Sequence, residues 1–175
     1  MGARSKARKR ALDVLFEADQ RGLNVLLALE ARIAEPGVET PLPAYATQIV
    51  RGVVEHWNDI EVAMAAHSQG WEVSRMPAVD RAALRLATWE ILFNDEVPAA
   101  VAIDQAVDLV TDLSTDESPG FVNGVLGAIA ASNRAALSQP TSNHPASNQP
   151  PSNPSASANG ESDGPPGGQA GDPLD

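Results

Sequence analysis

Cysteine is absent from the chain, which removes disulfide bridges, thiol nucleophiles and thiolate zinc sites together. Aromatic residues make up only 4%, so a core must be built mainly from aliphatic side chains. No apolar run is long enough to span a bilayer, and the basic N-terminus is not followed by the apolar stretch of a signal peptide. The chain is therefore read as soluble and cytoplasmic. Phosphate-cradling loops, dinucleotide fingerprints and the G-x-S-x-G nucleophile elbow are missing as well. The isolated glycines Gly22, Gly52, Gly124 and Gly127 read instead as turns or tight helix crossings. His56, His67 and His144 are scattered and read as surface or core-edge residues, since a metal pair would need further ligands at ordered spacing. Asp104, Asp108 and Asp112 share a helix face at i, i+4 spacing and read as a solvated polar stripe. No catalytic residue, metal or cofactor is expected.

The first ten residues contain no acid. Five of the twelve basic side chains lie there: Arg4, Lys6, Arg8, Lys9 and Arg10. The rest of the chain is anionic, and the formal net charge is −11. A cationic patch on an acidic body attracts phosphates at one place and repels them elsewhere. Arginine adds a planar fork of donors that suits phosphates and stacks on unpaired bases. A merely solubilising terminus is the competing reading. Five positives without an intervening acid, running straight into an amphipathic helix, favour RNA.

Hydrophobic periodicity is helical almost throughout. Leu12, Leu15, Phe16 and Asp19 fall at i, i+3, i+4 and i+7, continuing the basic segment. Gly22 ends this helix, and Asn24 is placed to cap the next, through Val25, Leu29 and Ile33. Pro36 and Gly37 stop it, and residues 35–43 form a loop. Tyr45, Ile49, Val53, Trp57 and Ile60 mark a third helix, with a break expected at Asn58-Asp59 and a shorter helix from Ile60 to Ser68. Residues 78–93 are apolar around most of the circumference, as in a central buried helix. A helix over 99–113 turns Val101, Ala102, Ala106, Leu109, Val110 and Leu113 inward. Ser118-Pro119 reads as a hydroxyl N-cap followed by proline at the first helical position, opening a last helix that fades near Asn133. Phe121, at its first turn, suits either a core anchor or a platform for a base.

From Ala135 onward the sequence is Ser, Asn, Pro, Gly, Gln and Ala, with no Lys, Arg or aromatic residue. Such a stretch cannot bury enough apolar area to offset roughly 1–2 kcal/mol of backbone entropy per residue. The expected organisation is an all-α bundle of about seven helices over 1–134 and a disordered tail over 135–175.

Several segments together resemble the NusB family of transcription antitermination factors over residues 4–132. They are ARKRALDVLF at 7–16, VP at 97–98, the AI-DQAV-L pattern at 102–109 and FVNGVL at 121–126. The resemblance implies two packed helical subdomains and no enzymatic activity. It also implies binding of the boxA element of nascent ribosomal RNA, a single-stranded target, with the ribosomal protein NusE, in a complex on RNA polymerase. Carried onto this sequence, it assigns RNA contacts to Arg4, Lys6, Arg8, Lys9, Arg10, Glu117, Ser118 and Phe121. Phe16, Asp80 and Arg81 fall near the NusE contact, and Asn123 falls to helix packing. In one departure, no basic residue precedes Phe121, which shifts the burden of RNA binding toward the N-terminal arm. The alternative is a homodimeric interaction scaffold with little RNA binding of its own. Family domains fused to RNA methyltransferases lack the arginine-rich arm, which disfavours a fusion remnant.

Overall fold

Three prolines set the starts of helices. Pro43, Pro77 and Pro98 each stand immediately before a helix, with φ between −57° and −50° and ψ near 140°. Their rings forbid backward extension of the helix, while their carbonyls accept its first hydrogen bonds, from Ala46, Arg81 and Val101. A computed structural model describes residues 2–34 and 41–138. Among them are seven α-helices: α1 (Ala3–Arg21), α2 (Val25–Ala34), α3 (Ala44–Glu55), α4 (Trp57–His67), α5 (Ala78–Phe93), α6 (Ala99–Leu113) and α7 (Ser118–Ser138). One 3-10 turn, Val73–Arg75, lies between α4 and α5. No strand occurs among the described residues. No helix there is long and apolar enough to cross a membrane.

The expected local signals mostly operate as read. Gly22 adopts φ 60° and closes α1, a conformation that penalises a Cβ. The Asn24 side chain accepts hydrogen bonds from the amides of Leu26 and Leu27 at 2.9 and 3.3 Å, capping α2. Part of the expected 35–43 loop, residues 35–40, and the expected disordered segment from 139 onward lie outside the described residues.

Helices α1, α2 and α3 pack on one another, and α4, α6 and α7 gather around α5. Because α1 and α3 also lie against α5, that helix joins the two groups. Its residues Ala82 to Ile91 are all buried, as its apolar circumference predicts. Gly52 of α3 meets it at a close crossing. A Cβ there would stand 2.1 Å from Nε1 of Trp89, so only glycine fits.

Five expectations give way. The α3–α4 break falls at His56, not at Asn58-Asp59. The His56 ring stacks on Phe93 with centroids 3.8 Å apart, and Asp59 instead sits in the first turn of α4, where a carboxylate favours the helix start. Val101 and Leu113, expected inside, are 43% and 38% exposed, because the buried stripe of α6 is the narrower set Ala102, Ala106, Leu109 and Val110. Gly124 and Gly127 mark no close crossing, since added Cβ atoms would meet nothing within 4 Å. Asn123 is exposed and orders no packing. Finally, α7 runs to Ser138, since Ala135, Ala136 and Leu137 continue it beyond Arg134.

Candidate nucleic-acid interface

An α-helix advances 100° per residue, so the five basic side chains of α1 cannot all face the same way. Arg8 stands one turn before Leu12 and shares the stripe of Ala11, Leu12 and Leu15 that α1 buries. It is only 3% exposed. Its Nε donates to both carboxylate oxygens of Glu90 on α5 at 3.0 Å. Tyr45 of α3 donates its hydroxyl to the same carboxylate, and Asn94 donates to the Tyr45 oxygen at 3.3 Å. Burial, together with the bond to the Glu90 carboxylate, pushes the Tyr45 phenol well above its ordinary value. This network ties three helices together. The expectation that Arg8 offers its guanidinium to RNA is corrected: that group is spent on Glu90. A cation at i−4 from a core leucine was the signal in the sequence.

The outward face differs. Lys6 and Lys9 are exposed and form no ion pair among the described residues. Arg4 is exposed and pairs with Glu96 at 3.1 Å, with its guanidinium 5.0 Å from the centre of the Tyr45 ring. Exposed pairs of this kind contribute roughly 0–1 kcal/mol, so a phosphate can compete for Arg4. Arg10 is half-buried, and its Nη2 finds no partner among the described residues. Asp13 faces Arg10 and Lys9; burial raises its carboxyl above 3.8 although those cations pull the other way.

The second expected contact segment, at the start of α7, is also divided. Ser118 is 2% exposed and donates to Oδ2 of Asp80 at 2.7 Å. It also accepts from the Thr115 amide at 3.3 Å. The hydroxyl therefore fastens α7 to α5 rather than capping α7, and it is withdrawn from any RNA surface. Glu117 is exposed. Phe121 is half-buried, its ring tilted at 55° to that of Trp71 with centroids 5.0 Å apart. Trp71, in the segment between α4 and the 3-10 turn, is 46% exposed.

The expected partner residues cluster where α1 ends and α5 begins. Asp80 is 2% exposed, and its Oδ1 has no partner among the described residues. Arg81 donates Nη1 to the carbonyls of Val73, Ser74 and Met76 at 3.0–3.1 Å and Nη2 to Asp19. Its donors thus hold the 3-10 turn against α1 and are not free for a partner. Burial alone would raise the Asp19 carboxyl, but Arg81 and Arg85 hold it below its ordinary value. Phe16 remains half-exposed beside the core. Among the described residues no three His, Asp or Glu side chains gather as metal ligands. Asp104, Asp108 and Asp112 are exposed along α6.

A model of the NusB family matches residues 5–131. The transcription antitermination protein NusB of Bifidobacterium animalis subsp. lactis is 55% identical over 139 residues, spanning 79% of this chain and 90% of its own. That of a Nocardioides species is 58% identical over 129 residues, spanning 74% and 94%. A chain in a crystal structure of the antitermination factors NusB and NusE in complex with double-stranded RNA superposes with a TM-score of 0.65 at 30% identity, covering 74% of this chain and 96% of that one. By sequence and by fold, this chain belongs to the NusB family.

Proposed function

We propose that this antitermination factor binds the boxA element of nascent ribosomal RNA as a single strand, together with NusE, in the cytoplasmic complex that keeps RNA polymerase from terminating. One observation carries the reading: Lys6 and Lys9 stand exposed, without an ion pair among the described residues, near the start of a chain whose formal net charge is −11. Arg4 and Arg10 flank them. In this arrangement Lys6, Lys9, Arg4 and Arg10 meet phosphate, while Phe121 and Glu117 lie on the RNA side of α7. Arg8 and Ser118 act as positioning residues, setting the pitch of the arm and the start of α7. Phe16 is the side chain left free to touch NusE, with Asp80 and Arg81 shaping the ground beneath it. The family likeness to a chain crystallised in a NusB, NusE and RNA complex supports the same partners.

The test is fluorescence anisotropy with a boxA-type single-stranded RNA, with and without NusE. The reading expects salt-sensitive binding that NusE tightens, and equal affinity for a scrambled RNA would overturn the boxA assignment. A homodimeric scaffold is the competing reading, favoured by the exposed Leu23, Leu26, Leu27 and Ile33 on and beside α2. Light scattering decides: a dimer that persists with NusE and RNA present would favour it.

A further inference from the structure

Lysine is confined to the arm. Of the twelve basic side chains in the sequence, Lys6 and Lys9 are the only lysines, and all the others are arginines. Every ion pair among the described residues takes an arginine as its cation, including the buried Arg8–Glu90 pair that ties α1 to α5. The cations that join helices are thus all guanidinium groups, while both side-chain amines stand on the surface proposed for phosphate. An advance of 100° per residue sets Lys6 and Lys9 about 60° apart around α1, on the side opposite the buried Ala11 and Leu15. Both lysines are exposed, so a group added to either Nζ projects into solvent and displaces no neighbour.

The two kinds of cation differ in what can be done to them. An amine is a nucleophile once it has given up its extra proton, and acylation turns it into a neutral amide. A guanidinium stays protonated throughout the physiological range and does not react with the same donors. An activated acyl group that meets the folded chain therefore finds, among the cationic side chains, only the two on the arm to modify. The arm also draws such a donor in. Acyl phosphates and coenzyme A thioesters both carry phosphate, and the first ten residues hold five cations and no acid. The rest of the chain, being anionic, repels the same carriers.

We infer that Lys6 and Lys9 are a paired acylation site that switches off RNA binding, taking an activated acyl group from a phosphate-bearing carrier. The inference rests on the RNA reading above and adds its regulation. In the step, the lysine ammonium gives one proton to water and the amine attacks the acyl carbonyl carbon. A C–N bond forms, and the bond from that carbon to the carrier's oxygen or sulfur breaks. The carrier leaves as phosphate or thiolate with the bonding electrons, and the second amine proton passes to solvent. Nothing is oxidised or reduced. The arm falls from five cations to three, while every ion pair that joins two helices keeps its guanidinium.

The test treats the full chain with acetyl phosphate or with acetyl-coenzyme A, maps the label by mass spectrometry, and titrates boxA-type single-stranded RNA before and after. Acetylation of both lysines should weaken binding on the order of tenfold near physiological salt, and should lower the slope of log affinity against log salt by about 1.4, two charges at about 0.7 each. The thermal melt should not move. A Lys6→Arg/Lys9→Arg chain, compared with its own untreated sample, should lose nothing on treatment, although every other nucleophile of the chain is still in place. Bound RNA should slow labelling of both lysines in the parent, because linkage is reciprocal. Labelling by one donor only names the carrier, and labelling by neither overturns the site. Unchanged affinity in the doubly acetylated parent, an equal loss in the double-arginine chain, or a lowered melt also overturns it. If the untreated parent binds RNA and acetylation has no effect, the switch alone falls. If the untreated parent binds no RNA, both readings fall.

Discussion

The opening turns of α1 and α7, the two segments that the resemblance assigns to RNA, divide their residues in the same manner. In each, chain neighbours face opposite environments: Arg8 is buried and Lys9 exposed, Ser118 is buried and Glu117 exposed. The chemistry differs. At α1 the inward residue is a cation neutralised by Glu90, and the outward ones remain cationic. At α7 the inward residue is a hydroxyl bound to Asp80, and the outward ones are anionic or aromatic. One segment thus attracts phosphate and the other repels it.

The largest test of this division is charge reversal at adjacent positions. Arg8→Glu would bury a second carboxylate against Glu90, and removing one partner of a buried pair costs about 3–5 kcal/mol. Thermal melts should show a chain that is largely unfolded or strongly destabilised. Lys9→Glu should leave stability within roughly 0.5 kcal/mol of the parent, as exposed substitutions usually do, while lowering RNA affinity. A stable, RNA-blind Arg8→Glu chain would break the comparison. Next in size is the α7 pair. Ser118→Ala leaves buried Asp80 without its donor and should cost about 1–3 kcal/mol by chemical denaturation, against little change for Glu117→Ala. Smaller again is the salt response. Replacing Lys6 or Lys9 by Ala should reduce the slope of log affinity against log salt by about 0.7 for each single-strand phosphate that the lysine neutralises.

Helix positions were legible in the sequence because they rest on local rules: apolar spacing, Asn24 as a cap, and prolines ahead of α3, α5 and α6. The central place of α5 was legible for the same reason, as a surface apolar around most of its circumference requires neighbours on most sides. What escaped depends on partners distant in the chain. Nothing near Arg8 announces Glu90, eighty-two residues away, and nothing near Ser118 announces Asp80. A basic segment therefore reads as one patch, although helical geometry alone places Arg8 in the stripe of Leu12. Trp71 was invisible for the opposite reason. It sits in an irregular segment with no period to place it, and only its approach to Phe121 gives it meaning.

The smallest expected effect compares two carboxylates on α1 itself. Asp19, paired with Arg81 and Arg85, has its carboxyl held below the ordinary 3.8, whereas Asp13, penalised by burial, has its own raised above 3.8. In the unfolded chain both protonate near 3.8. As pH falls toward and below that value, the unfolded state takes up a proton at Asp19 before the folded state does, so acid favours unfolding there. The Asp19 contribution is complete above that range and disappears as pH drops through the depressed folded value. Asp13 runs the other way: the folded state binds its proton first, so acidification from above toward 3.8 strengthens the fold at that position. Denaturation midpoints followed from pH 6 to pH 2.5 should therefore show a shallower acid limb for Asp19→Asn than for the parent. For Asp13→Asn the limb should be steeper, because an opposing group has been removed. Identical limbs in the two variants would mean that the ion pairs at the C-terminal end of α1 are too solvated to distinguish it from the arm.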